Sequence, residues 1–296
     1  MDPKINIPHE ELDQVIQKSI TRGRLKMKTK KKKFTVLKAV ACAGLVLVGS
    51  LVASVNAVPA FADALKEIPG MSGIVRIIEF DRGVGVGGKV TDGQELGDIV
   101  WAREGDRESV TLKLFTEDGV APAPGYFEIV EEQYPNRLVI SINGVRRVSV
   151  PDWAAPENSL LLTDMYRMVT LDDSMQRIVL SFATPVDYTV AETENGGIYI
   201  AFEEKQTDSL APVYSVRTAS EAALEPIAVI EEILLWEHGV ETARLIHDAK
   251  GDAFVEVGYF ETEAEAQAMK VEFEENLGRS LFIEERGESD IPANLK

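Results

Sequence analysis

Between Gly97 and Glu204 the apolar positions recur every second residue. Val110, Leu112 and Leu114 alternate with Thr111 and Lys113, and Leu138, Ile140 and Ile142 alternate around Ser141. Ile178, Leu180 and Phe182 do the same around Ser181, as do Ile198, Ile200 and Phe202 around Tyr199 and Ala201. A period of two predicts half-buried strands. Glu117-Asp118-Gly119 and Glu194-Asn195-Gly196-Gly197 part them as turns, and the spacing predicts a β-sandwich. The region also echoes itself. RESVTLKLF (107–115) and GYFEIVEEQYPNRLVISI (125–142) reappear as MQRIVLSFA (175–183) and DYTVAETENGGIYIAF (187–202), with Tyr126 and Tyr188 in equivalent places. Two copies of one hairpin unit bury together what neither buries alone.

Beyond Leu210-Ala211-Pro212 the pattern changes. VYSVRT (213–218) predicts a strand, and Leu224, Ile227, Ile230, Ile233 and Leu234 recur at helical spacing within 220–236. Strands at 242–247 and 253–259 are parted by Lys250-Gly251-Asp252. A second helix over 262–277 opens with Thr262 and Glu265 in capping-box spacing, and a strand at 280–284 closes the unit. The order β-α-β-β-α-β predicts a four-stranded sheet with both helices on one face, leaving the other face free to bind.

Upstream, Ala39–Val58 is twenty residues without a charge, about 30 Å as a helix and enough to cross a bilayer. Residues 1–38 hold eleven basic and four acidic side chains, a net of +7 that includes the run Lys28–Lys33. From Asp63 onward there are 20 basic and 45 acidic residues, a net of −25, within an overall charge of −18. This split predicts a single-pass protein of the cell membrane with a cytoplasmic N-terminus and an extracytoplasmic bulk, its Lys run touching anionic lipid. The alternative is a leader cleaved after Ala60-Phe61-Ala62, about twice the usual 15–30 residues. Residues 8–20 predict a short amphipathic helix whose stripe of Leu12, Val15, Ile16 and Ile20 has no core of its own nearby, so it lies on the membrane or on a cytoplasmic protein partner. Ordered along the chain, this gives a cytoplasmic helix and basic segment (1–38) and a transmembrane helix (39–58). A membrane-proximal helix and Gly-rich linker (59–96), a β domain (97–204), a linker (205–212), an α+β domain (213–286) and a tail (287–296) follow.

One Cys, Cys42 within the apolar span, excludes an intrachain disulfide and a Cys-based zinc site, and three His make a histidine-rich metal centre or a catalytic triad implausible. The acidic balance argues against nucleic-acid binding. No cofactor is expected. A wall hydrolase would need a metal-ligand or nucleophile–base constellation, and the residues supply none. With 45 acidic residues beyond the span, paired carboxylates are uninformative.

Three resemblances add to this. Ile7-Pro8, Glu11-Leu12-Asp13, Ile16, Ile20, the basic run, the apolar span and Pro59-Ala60-Phe61-Ala62-Asp63-Ala64-Leu65 through Ile68-Pro69-Gly70 resemble the amino-terminal part of a family of single-pass, anti-sigma-like membrane proteins of Gram-positive spore formers. The duplicated strands, with Arg177-Ile178-Val179-Leu180, Pro185-Val186-Asp187-Tyr188 and Gly197-Ile198-Tyr199-Ile200, are similar to the AMIN domain, which binds peptidoglycan. Tyr214–Ser220 and Phe254–Phe260 in their βαββαβ setting resemble the SPOR domain, although Arg217 stands where that family has glutamine. That resemblance implies binding of glycan strands stripped of stem peptides. Tyr214, Arg217, Ser220, Glu256 and Tyr259 would supply the stacking faces and hydrogen-bonding groups. Residues 212–296 carry a net of −12, which would repel anionic wall polymers but not bare glycan.

The expectation is therefore a non-enzymatic, membrane-anchored peptidoglycan-binding protein acting in wall remodelling, division or sporulation. The alternative is a transmembrane regulator whose inner helix binds a transcription factor and whose outer domains sense the wall. The anchor is expected to stay uncleaved. Mass-spectrometric reading of the mature protein should find the residues before 63 retained, and an N-terminus at Asp63 would contradict the topology.

Overall fold

The computed structural model describes residues 74–296, apart from Arg82, Asp152 and Asp208, and all of them belong to one compact unit. The span expected at 39–58 lies outside the described residues.

The first thirteen strands are β1 (Ile74–Ile77), β2 (Phe80–Asp81), β3 (Val84–Gly87), β4 (Gln94–Glu104), β5 (Arg107–Thr116), β6 (Gly119–Val120), β7 (Phe127–Glu132), β8 (Arg137–Asn143), β9 (Val145–Val148), β10 (Leu162–Met168), β11 (Met175–Phe182), β12 (Val186–Thr193) and β13 (Ile198–Glu204). They form two sheets. One runs β1-β12-β13-β5-β4-β9 with β6 beside β5, and the other runs β10-β11-β8-β7-β3-β2. Strands with alternating apolar side chains bury one face each, so the two sheets close over a shared core. Leu112 and Leu114 of β5, Ile140 and Ile142 of β8, Ile178 and Leu180 of β11, and Ile200 and Phe202 of β13 all lie in it. Phe182 and Phe202 meet edge to face across it, centroids 4.9 Å apart.

The remaining elements are β14 (Val213–Arg217), α1 (Leu224–Glu232) with a π turn over Ile233–Glu237, β15 (Arg244–His247), β16 (Ala253–Phe260), α2 (Glu263–Leu277) and β17 (Phe282–Arg286). The sheet order is β15-β16-β14-β17, antiparallel throughout. Thr262 caps α2 by accepting from the Glu265 amide, and Gly278, at φ 62, ends it in the left-handed conformation that glycine adopts without penalty. Ile227, Ile230 and Leu234 from the α1 stretch and Phe273 from α2 share a core with Val216, Leu245, Val255 and Val257. That core also takes in Met168 and Val179 from β10 and β11, so the sandwich and the four-stranded unit share apolar packing.

The fold class expected from the sequence is corrected here. The described chain is mostly β-sheet, 47% strand in three sheets, with two short helices, and no described helix is long and apolar enough to cross a membrane. Part of the difference lies before residue 97. The expected helix through 71–80 and the Gly linker at 83–88 are replaced by β1, β2 and β3, which pair with β12 and β7. Ile74-Val75-Arg76-Ile77-Ile78 is a β-branched run that favours extended backbone beside a waiting strand edge. The glycines serve close approach rather than flexibility. A Cβ on Gly85 would sit 2.6 Å from the Phe80 ring, and one on Gly87 would strike the Phe127 ring.

Gly87→Ala is therefore expected to destabilise the unit by about 1–3 kcal/mol through overpacking. A linker glycine would tolerate alanine within about 0.5 kcal/mol. Chemical denaturation midpoints of the two proteins distinguish these outcomes.

Candidate functional site

Strand alternation sorts the five candidate glycan-binding residues between two faces. Tyr214, like Val216, packs on the helix-side core. Ser215 and Arg217 turn the other way, opposite Tyr259 and Glu256 of β16, with a bulge between Val216 and Arg217 in the pairing. Arg217 and Ser220 are brought together: Arg217 Nη2 donates to Ser220 Oγ at 2.7 Å. Arg217 Nη1 donates to Glu284 Oε2 at 2.7 Å and to the Ala293 carbonyl at 3.0 Å. Its guanidinium lies 3.2 Å over the Phe254 ring and has no exposed surface. Burial lowers its pKa, and Glu284 opposes that shift.

Glu256 is linked to this group through Arg286, whose Nη1 lies 3.7 Å from Glu284 Oε2. Its Oε1 accepts from Ser215 Oγ and from Arg286 Nη2, both at 2.5 Å, and its Oε2 accepts from Arg244 Nε at 2.7 Å. Glu256 is fully buried. Arg244 continues to Glu132 at the end of β7, 3.1 Å away, and Glu132 in turn accepts from Arg137 Nε at 2.6 Å. The Tyr134 carbonyl accepts from both Arg244 and Arg286. Tyr134 holds φ 55, a left-handed conformation uncommon outside glycine, and its hydroxyl donates to the Ala211 carbonyl. Tyr259 tilts against the Tyr134 ring at 5.2 Å and lies below Arg244. The face expected to be free is thus covered: the Glu132–Arg137 turn of the sandwich lies over one part and residues 287–296 over another. A sheet face carrying three arginines and two glutamates needs such cover and such pairing, since a buried charge without a partner is costly.

The electrostatics follow from this packing. Burial alone would raise the Glu256 carboxyl, but Arg244 and Arg286 outweigh it and bring it from 4.5 down to about 2. Glu132 is lowered in the same way, its burial overcome by Arg137 and Arg244. Both are held ionised, and neither is poised to donate a proton. His247 stacks on Tyr166 of β10 at 4.1 Å, and burial, with Arg137 nearby, lowers it from 6.5 to about 4. Glu131, bonded to the Tyr188 hydroxyl, and Asp164 are raised by burial. Among the described residues no group of three or more His, Cys, Asp or Glu is arranged to hold a metal ion. Leu12, Val15, Ile16 and Ile20, read as the partner-binding stripe, lie outside the described residues.

Glu132, Tyr134, Arg137, Arg244, Glu284 and Arg286 were not singled out from the sequence. The available signal was an arginine at an alternating position of an otherwise apolar strand, as in Thr242-Ala243-Arg244-Leu245-Ile246-His247. Comparison with protein-family models, with curated proteins and with solved structures finds no match for this chain.

These shifts set a two-stage acid response. The unfolded chain protonates His247 from about 6.5 downward while the fold keeps it neutral to about 4, so stability falls with pH across that window. Below 4.5 the unfolded chain protonates Glu256 while the fold resists to about 2, so a second loss follows as pH drops between those values. Denaturant titrations at stepped pH should show both stages. His247→Gln should remove the upper stage. Glu256→Gln should diminish the lower one and cost about 3–5 kcal/mol near neutrality, because it leaves buried arginines short of a counter-charge.

Proposed function

We propose that this chain is a non-enzymatic, membrane-anchored protein of the cell envelope that binds peptidoglycan glycan through its β-rich unit. The order of +7, an uncharged span and −25 supports an anchor with the bulk of the chain outside. The half-buried Glu132 and the buried Glu256 are tied up in joining sheets, which suits a rigid binding scaffold better than an acid–base site. The observation that carries the glycan reading is Trp236, 82% exposed on the turn after α1. A bare indole face is the surface on which sugar rings stack, and the surrounding net −12 penalises anionic polymers while sparing neutral glycan. Arg217 and Ser220, being covered, are not needed for this contact.

The test is co-sedimentation of the full chain, in detergent micelles, with purified sacculi before and after amidase removal of stem peptides. Retention by the treated sacculi and a several-fold loss in Trp236→Ala are expected. A wild-type chain that sediments with neither preparation, or a Trp236→Ala chain that sediments as well as wild type, contradicts the reading.

A further inference from the structure

Residues 287–296 follow β17 and are held through both main chain and side chains. The Pro292 carbonyl accepts from the Ala249 amide at 3.0 Å, and the Ala293 amide donates to Glu284 Oε1 at 2.7 Å. The Ala293 carbonyl accepts from Arg217 at 3.0 Å, and the Leu295 carbonyl accepts from the Ser220 amide at 2.7 Å. Two side chains add selectivity. Asn294 Nδ2 donates to Asp248 at 2.6 Å and Asp252 at 3.0 Å, and Lys296 Nζ reaches Asp252 at 2.6 Å and the Ser220 carbonyl at 3.0 Å. Pro292 is buried, whereas Ile291 is 70% exposed. Recognition through alternating main-chain groups, with a few side chains setting preference, is how proteins hold extended peptides.

The face needs an occupant of this kind. Arg217 is a buried cation, and one of its acceptors is a carbonyl supplied from outside the sheet. An empty face would leave that donor and one Glu284 oxygen without these partners, a cost that any extended chain offering a carbonyl and an amide in the same places removes. With the segment in place Asp252 is held below the ordinary carboxylate range, by Lys296 first and Asn294 next, so Asp248 and Asp252 are matched to a cation and an amide at these two positions.

We propose that the helix-free face of the four-stranded sheet is a binding site for an extended peptide of Pro-Ala-Asn-x-Lys character. Residues 289–296 are its resident occupant, exchangeable for a second peptide of the same chemistry. This site is separate from Trp236 and does not rest on the glycan reading. The acidic surroundings favour a cationic peptide on approach.

The test uses the full chain in detergent micelles and a variant carrying Asn294→Asp and Lys296→Glu, which sets like charges against Asp248 and Asp252 without shortening the chain. The probe is a fluorescent, end-capped peptide with the sequence of Ser289–Lys296, its binding read by anisotropy, and hydrogen exchange at Ala293 reports release of the resident segment. Fast exchange in the variant and at least tenfold tighter peptide binding than by wild type are expected. A scrambled peptide should not bind, and adding Asp252→Asn should weaken the gain. An Ala293 amide as protected as in wild type shows that these contacts do not hold the segment, and overturns the proposal. So does a released segment without peptide binding, equal binding by both proteins, or a released face that takes bare glycan fragments in preference to the peptide.

Discussion

A carboxylate with no exposed surface, Glu256, sits between the guanidinium groups of Arg244 and Arg286, and the arrangement of the unit follows from the need to satisfy those three charges. Desolvating them is expensive, and their mutual attraction compensates only when the leftover donors also find acceptors. The sandwich supplies part of this: the Tyr134 carbonyl takes a hydrogen bond from each arginine, and Glu132 takes one from Arg244. Arg286 Nε and Nη1 have no hydrogen-bond acceptor among the described residues, and Nη1 lies 3.7 Å from Glu284. A turn 110 residues from Arg244 in sequence thereby becomes part of the same electrostatic assembly, and Tyr134 is held at a positive φ to present its carbonyl there.

The apolar seam works in the same direction. Met168 and Val179 share a core with Ile227, Leu234 and Leu245, and Arg177 of β11 forks onto Glu231 of α1 at 2.8 and 2.9 Å. Glu231 also accepts the Leu245 amide, so a single carboxylate joins a sandwich strand, a helix and the first strand of the next sheet. Apolar burial supplies most of the driving force, while the ion pairs fix the register in which the sheets meet, because any shift would leave a charge buried alone. Such a seam favours a rigid scaffold, with binding groups placed at its surface or beneath an exchangeable segment.

What could be read from the chain and what could not divide along a physical line. The period-two runs at 110–114, 138–142, 178–182 and 198–202 are strands, because local alternation is enough to bury one side of each. Thr262 and Glu265 mark the start of α2 because a cap is also a local device. The stretch 74–87 was misread as helix and linker because its fate depends on edges 40 to 119 residues away, offered by β7 and β12, and because a glycine that accepts an aromatic ring looks in sequence like one that bends. The covered face was legible in its residue types, Arg217 and Glu256, but not in its partners. Glu132, Tyr134 and Glu284 come from distant segments, and nothing in a ten-residue tail announces that its carbonyls are acceptors.

The central claim, that a buried charge cluster binds the sandwich and the four-stranded sheet into one cooperative body, is most directly tested by native-state hydrogen exchange under increasing denaturant. The amides of Ile140 in β8 and Val255 in β16 are both buried, one in each part. The account expects them to exchange through a common global opening, with equal free energies and equal denaturant dependence. A lower-energy opening that exposes Val255 while Ile140 stays protected would show that the two parts unfold separately and would contradict it.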